Sequence, residues 1–401
     1  MNQRHLRYGI VGCGMMGREH IRNISLLDAA SIVAILEPDA GMRAAAAELA
    51  PGANFVEDVG ALALRDDIDA LVIASPNHLH LDQIEALSVN PRPLLVEKPL
   101  YTDMAQAARL EAIAASYKAP VWVAMEYRYM PAVHRLIQEI PESAGDLKML
   151  TIREHRFPFL AKIGDWNRFN SNTGGTLVEK CCHFFDLMRL ITGGEAVRVM
   201  ASAGQAVNHL DERYKGKVPD IWDHGFVLVD FDNGKRAMLE LCMFAEGSRF
   251  QEKISAIGST GMVEAFVPGP TRFWPEDAGP PPVAELVVSP RSMTGGRREE
   301  IEVDPALLAA GDHNGATFYQ HERFAAVARG TGKIEVGLDD GAKAVAIGLA
   351  AQASAASGKA VMLDCRRRAT RSRPKIQVRK IRVQEIPAQQ DRKRKRNPGA
   401  G

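Results

Sequence analysis

Residues 6–123 repeat one motif: a short, fully apolar run followed by a stretch with helical spacing. "LRYGIV", "ASIVAILE", "DALVIAS", "PLLVEKP" and "PVWVAME" are too short for helices and too uniformly apolar for strands with one wet face. Between them, "AGMRAAAAELA", "HLHLDQIEALS" and "MAQAARLEAIAASY" read as helices, the first rich in the best helix former. Strands alternating with helices predict right-handed βαβ units and a parallel sheet covered on both faces.

After about residue 147 the period changes. "LKMLTIREHRF", "AVRVMASAGQAV", "HGFVLVDFDNG", "KRAMLELCMFA" and "EKISAIGSTGMVEAFV" are longer and β-rich, and Asn233-Gly234 is a good hairpin turn because both residues tolerate positive φ. A second domain built on a large, mostly antiparallel sheet is expected. Residues 268–290 hold seven prolines and are expected to be loop. "ATFYQHERFAAVARG" and "LDDGAKAVAIGLAAQASAASG" return as helices before a last strand, "AVML". The fold class is therefore α/β, with a doubly wound parallel-sheet domain over 1–125 and a second α/β domain on a large, mostly antiparallel sheet over 126–364.

Composition adds one boundary. The net charge of +1 hides 14 Lys/Arg against 2 Asp/Glu in residues 365–401, and 36 against 47 in the rest. The basic tail is expected to be disordered, or to dock on an acidic neighbour. It lacks the aromatic platforms of nucleic-acid binding, which is not expected. No apolar run approaches a membrane span, and the N-terminus enters a strand without a secretory stretch. Five cysteines without a CxxC suggest neither a disulfide framework nor a metal cluster, and point to a reducing cytoplasm.

"YGIVGCGMMGREHI" carries Gly12-x-Gly14-x-x-Gly17 between a strand and a helix. Glycines there permit a tight turn and close approach to a pyrophosphate at the helix N-terminus. Gly12, Gly14, Met15, Met16 and Gly17 are the expected contacts. Glu37, 20 residues after Gly17, ends the second strand, where a carboxylate binds the ribose hydroxyls and repels a 2′-phosphate. NAD is the expected cofactor, with NADP disfavoured; Arg43 leaves that preference open to test.

The segment "TLVEKCCHFFDLMRL", 176–190, is apolar yet places Glu179, His183 and Asp186 at i, i+4 and i+7. On one continuous helix these share a face. They form either a solvated stripe or a polar stripe facing a pocket, in which the Glu179 carboxylate would orient the His183 imidazole.

Three further stretches decide between the two. "ASPNHLH" at 74–80, "VEKPL" at 96–100 and "GGTLVEKCCHFFD" at 174–186, with the glycine turn, resemble the glucose–fructose oxidoreductase, inositol dehydrogenase and MocA family over residues 6–364. The resemblance implies a site between a Rossmann domain and an open-sheet domain, the sheet serving as a homo-oligomer interface. It implies that Ser75, Pro76, Asn77 and His80 line the cofactor and that Glu97 and Lys98 flank the nicotinamide. By the same resemblance Lys98 binds the reacting hydroxyl, His183 accepts its proton, and Glu179 completes the set. Members commonly show Asp-x-Gly-x-His where this chain has Glu179-Lys180-Cys181-Cys182-His183, which bears on substrate geometry more than on the class of chemistry. The chemistry suits the residue types. A histidine is a natural base near neutral pH, and a lysine stabilises a developing alkoxide. Arg128, Trp166, Arg168 and Lys180, with His183, are the candidate substrate contacts, and Tyr319 with His321 a weaker pair. The expected activity is hydride transfer between nicotinamide and a secondary alcohol of a sugar, inositol or polyol. The alternative is an NAD-dependent glycosidase that oxidises, eliminates and re-reduces.

Overall fold

A computed structural model describes residues 3–364 and the backbone of 382–383. The first sheet has six strands: β1 Leu6–Val11, β2 Ala30–Leu36, β3 Asn54–Val56, β4 Ala70–Ile73, β5 Leu94–Val96 and β6 Val121–Val123. All its pairings are parallel, in the order β3-β2-β1-β4-β5-β6. This is the doubly wound arrangement, whose strand order reverses at β1 and β4 and opens a crevice at their carboxyl ends. The apolar runs are apolar for that reason. All four residues of β4 and all three of β5 and of β6 are buried, because helices cover both faces. Aspartates start two of the crossover helices: Asp39 accepts from the Met42 amide and Asp58 from that of Ala61.

The chain then enters β7 Leu147–His155, β8 Ala196–Gly204, β9 His224–Phe231, β10 Arg236–Cys242, β11 Glu252–Gly258, β12 Gly261–Val267, β13 Ala284–Pro290, β14 Arg297–Ile301 and β15 Val361–Met362. These lie in the order β14-β13-β12-β11-β7-β10-β9-β8-β15, and the backbone of Arg382–Val383 pairs beyond β15. Apart from the parallel pair β7 and β10, the pairings are antiparallel. Gly234 takes φ +80 in the turn between β9 and β10, as the Asn-Gly pair predicts.

The expectation of loop over 268–290 is corrected. Six of the seven prolines lie at or before Pro282, and "AELVVSP", with the seventh at its end, pairs as β13 on both sides. Its partner β14, "RREEI", is the charged edge strand, a composition that blunts an exposed edge but hides the strand period.

Helices Pro131–Ser143, Cys182–Thr192 and Leu338–Ser357 cover one face of this sheet. The other face is open: Met149, Met200, Phe226 and Leu228 are 53, 42, 54 and 50% exposed. Met200 sits opposite Leu228, and Leu228 opposite Met238, so the apolar positions run as a row across three strands. After the second sheet, helix Ala316–Ala328 returns to pack on helix Met15–Ser25, and a Cβ on Gly341 would meet Val123 at 2.9 Å. Two sheets thus share one return path, and the cleft opens between them. The basic tail expected over 365–401 lies outside the described residues, the backbone of 382–383 excepted. No helix among the described residues is long and apolar enough to cross a membrane.

Candidate active site

The cleft, about 1090 Å³, begins at the glycine turn and runs past Glu37, Ser75, Pro76 and Asn77 to Glu97, Lys98, Lys162, Trp166 and Glu179. At its start Gly12 has φ +89, and a Cβ there would meet the backbone of Ala74 and Ser75 at 2.8 Å. A Cβ on Gly17 would collide with the Gly12 carbonyl, whereas one on Gly14 would meet nothing, because Gly14 faces the cleft. Met15 and Met16 open the following helix and line the same wall. This is the cradle that a pyrophosphate needs. Glu37 accepts from the Cys13 amide at 2.6 Å and the Asp39 amide at 2.9 Å, which fixes its carboxylate at the edge of the cleft. Arg43 turns to the Glu37 carbonyl at 3.2 Å and toward Glu57 at 3.7 Å.

His80 does not line the cleft. Its Nδ1 lies 2.9 Å from the Pro99 carbonyl and its Nε2 3.1 Å from that of Ser75, so it ties the loops that carry Ser75 and Lys98. Glu97 is buried with Oε1 3.0 Å from His20 Nε2, and His20 Nδ1 is 2.8 Å from His321 Nε2. His321 is therefore a buried support for the cofactor-side helix.

The expected continuous helix over 176–190 is broken. Thr176–Glu179 and Cys182–Thr192 are separate helices, and the backbone ladder restarts at Cys181, whose carbonyl accepts from Phe184 and Phe185. The Glu179 carbonyl accepts instead from Lys98 Nζ at 3.1 Å. The break thus supplies the group that holds Lys98. Burial opposes the charge on Lys98, but the Cys182, Glu97 and Glu179 side chains carry it net above the ordinary lysine range. Lys98 is an ammonium at neutral pH, a donor rather than a base.

His183 is buried, and its ring stacks on Tyr127 with centroids 4.1 Å apart and planes 6° from parallel. The expectation that Glu179 orients this imidazole is corrected: His183 Nδ1 and Glu179 Oε2 have no hydrogen-bond partner, and Glu179 Oε1 lies 3.5 Å from Lys162 Nζ. Burial, then the charges of Lys98, Lys180 and His313, push His183 well below the ordinary imidazole range. The ring is neutral, able to accept a proton, and held flat by an aromatic face rather than by a carboxylate.

The candidate substrate contacts divide. Trp166 lines the cleft, with Lys162 Nζ 4.5 Å from its ring centroid. Arg128 and Arg168 are committed elsewhere, because a buried guanidinium must find anions or carbonyls. Arg128 forms a two-pronged pair with Asp186, 2.5 Å at each contact, and Arg168 binds Glu212 at 2.9 Å. Lys180 is likewise buried, 2.8 Å from Glu154 and 2.5 Å from the Tyr127 hydroxyl. Asp186 therefore anchors Arg128, one turn beyond His183. Tyr127 lies in "EYRYMP", 126–131, a stretch expected to offer hydroxyl-binding groups, whereas Lys162 carries no signal in the sequence. Nothing local distinguishes Lys162, a loop lysine that the fold brings beside Glu179 and Trp166.

A family model described as an oxidoreductase family, NAD-binding Rossmann fold, matches residues 6–125, and one described as its C-terminal alpha/beta domain matches 140–363. The chain belongs to the glucose–fructose oxidoreductase, inositol dehydrogenase and MocA family, as an NAD-binding oxidoreductase. An inositol 2-dehydrogenase of Corynebacterium glutamicum is 33% identical over 275 residues, 68% of this chain and 77% of that protein. The rhizopine catabolism protein MocA of Rhizobium meliloti is 26% identical over 281 residues, 68% and 80% of the two chains. Among solved structures, a putative myo-inositol dehydrogenase from Sinorhizobium meliloti superposes with TM-score 0.71 at 23% identity, covering 89% of this chain and 99% of that one. A levoglucosan dehydrogenase in complex with NADH and levoglucosan gives 0.73 at 19% identity, with the same coverage. These two likenesses establish the shared fold.

Proposed function

We propose that the protein oxidises or reduces a secondary alcohol of a sugar, inositol or related polyol, with residues 1–125 holding NAD and residues 126–364 shaping the substrate side. The observation that carries this reading is the position of Lys98. Its ammonium lies in the cleft that starts at the glycine turn, held by the Glu179 carbonyl across the break between two helices. NAD supplies the hydride acceptor. Gly12, Gly14, Met15, Met16 and Gly17 hold its pyrophosphate, Glu37 the adenosine ribose, and Ser75, Pro76, Asn77 and Glu97 its nicotinamide side. Lys98 donates to the substrate oxygen as charge develops on it. The neutral His183 takes the hydroxyl proton, its ring plane set by Tyr127. Trp166 offers an apolar face for a sugar or cyclitol ring, and Lys162 and Glu179 beside it offer a donor and an acceptor for ring hydroxyls. Inositol and levoglucosan, acted on by or bound in relatives, belong to this substrate class.

A screen of cyclitols, hexoses and anhydrosugars, read as NADH absorbance, tests the proposal. Substrate-dependent reduction of NAD supports it. Release of an aglycone with no net NADH supports transient oxidation by a glycosidase instead.

The open face of the second sheet supports a homo-oligomer. Met200, Leu228 and Phe226 are exposed beside Met238 in one apolar row, a continuity that marks association surfaces.

A further inference from the structure

Three ionisable side chains that the proposed hydride transfer does not use meet from distant parts of the chain. Glu19 is on helix Met15–Ser25, Glu126 is in the turn Glu126–Tyr129 after β6, and His313 precedes helix Ala316–Ala328. One oxygen of each carboxylate and one ring nitrogen of His313 lie within 4.8 Å of one another. Glu19 is 3% exposed and Glu126 fully buried.

The protons available do not satisfy these carboxylates. His313 Nδ1 is 2.7 Å from Glu19 Oε1, and the Asp312 amide donates to Glu19 Oε2 at 3.1 Å. Thr317 Oγ1 is 2.7 Å from Glu19 Oε1 and 2.7 Å from Glu126 Oε2, yet a hydroxyl has one proton to give. Glu126 Oε1 has no hydrogen-bond partner, and it faces His313 Nδ1 at 3.6 Å. Buried carboxylates this close require a shared proton or a cation between them.

We infer that Glu19, Glu126 and His313 form a divalent-cation site. Two carboxylates and an imidazole make a hard, mixed donor set of the kind that takes zinc, manganese or cobalt, with positions left for water. The unpartnered oxygen of Glu126 becomes a ligand, and Thr317 then donates to the carboxylate oxygen that needs it. The cation clips the cofactor-side helix to the loop that leads the chain back from the second sheet. Its other neighbour is Tyr127, whose ring is 6.0 Å from that of His313 and stacks on His183. The site therefore stabilises the wall of the cleft behind Tyr127 and His183.

Untagged full-length protein, stripped with a chelator and kept reduced, is titrated with cobalt(II) chloride. The site predicts one equivalent bound with visible d–d absorption and no sulfur charge-transfer band, displaced by zinc, with a rise in melting temperature. His313→Ala and Glu126→Gln should each weaken binding by at least about 10–100-fold, the loss that outer-shell changes alone produce. Circular dichroism and NAD binding report whether each variant is folded. If His313→Ala does not fold, the near-isosteric Glu126→Gln decides alone. Failure to bind cobalt, a thiolate-type spectrum, or undiminished affinity in Glu126→Gln overturns the inference and leaves a protonated His313 between the carboxylates.

Discussion

At the scale of single residues, the proposed division of labour depends on two opposite electrostatic outcomes. Lys98 keeps its proton because anionic neighbours outweigh its burial, and His183 loses its own because burial and cationic neighbours act together. Replacing either with alanine should lower kcat by about 10²–10⁴-fold while NAD affinity changes little. The sign of the pH dependence follows. Neutral His183 is the competent form, and a lowered pKa preserves that form as pH falls. The acid limb of kcat due to His183 should therefore lie below about pH 6.5, the ordinary imidazole value. A limb at or above that value, measured with a verified substrate, contradicts the assignment. Glu37 makes a second prediction: titrated at the same salt, NAD should bind more tightly than NADP, and equal affinity would show that Arg43 compensates.

At the scale of elements, the first sheet was legible because parallel strands buried on both faces leave an uninterrupted apolar signature. The glycine turn was legible because Gly12 and Gly17 have no room for a Cβ. Less legible was the helix break at Lys180 and Cys181. The i, i+4 spacing of Glu179 and His183 suggests a carboxylate–imidazole pair, and only the fold reveals that Lys98 captures the Glu179 carbonyl. Arg128, Arg168 and Lys180 misled for a general reason: a sequence exposes charge but not the long-range partner that neutralises it. Asp186 sits 58 positions from Arg128 and Glu154 pairs with Lys180 across two elements. Such buried pairs are costly to break. Asp186→Ala strands the Arg128 guanidinium and should cost about 3–5 kcal/mol in denaturant unfolding. A loss below about 1 kcal/mol, the level of an exposed pair, would mean that water reaches the guanidinium.

For the whole molecule, the open sheet face and the basic tail make separate claims. Leu228→Asp places a charge in the apolar row and should shift the protein to a smaller species in light scattering, with NAD binding retained. An unchanged mass would remove the sheet face as the interface. Truncation after Asp364 should leave turnover intact, since every residue proposed for the site precedes that point. A folded truncation with normal cofactor affinity but lost kcat would bring the tail into the site.

The central claim is that one cleft unites NAD, Lys98 and a polyol hydroxyl. The most direct measurement is single-turnover NADH formation with the best substrate from the screen, on wild-type and Lys98→Ala proteins at matched NAD saturation. Rapid substrate-dependent NADH is expected in the wild type and a rate lower by about 10²–10⁴-fold in the variant, with NAD still bound. Equal rates in the two proteins would contradict the claim.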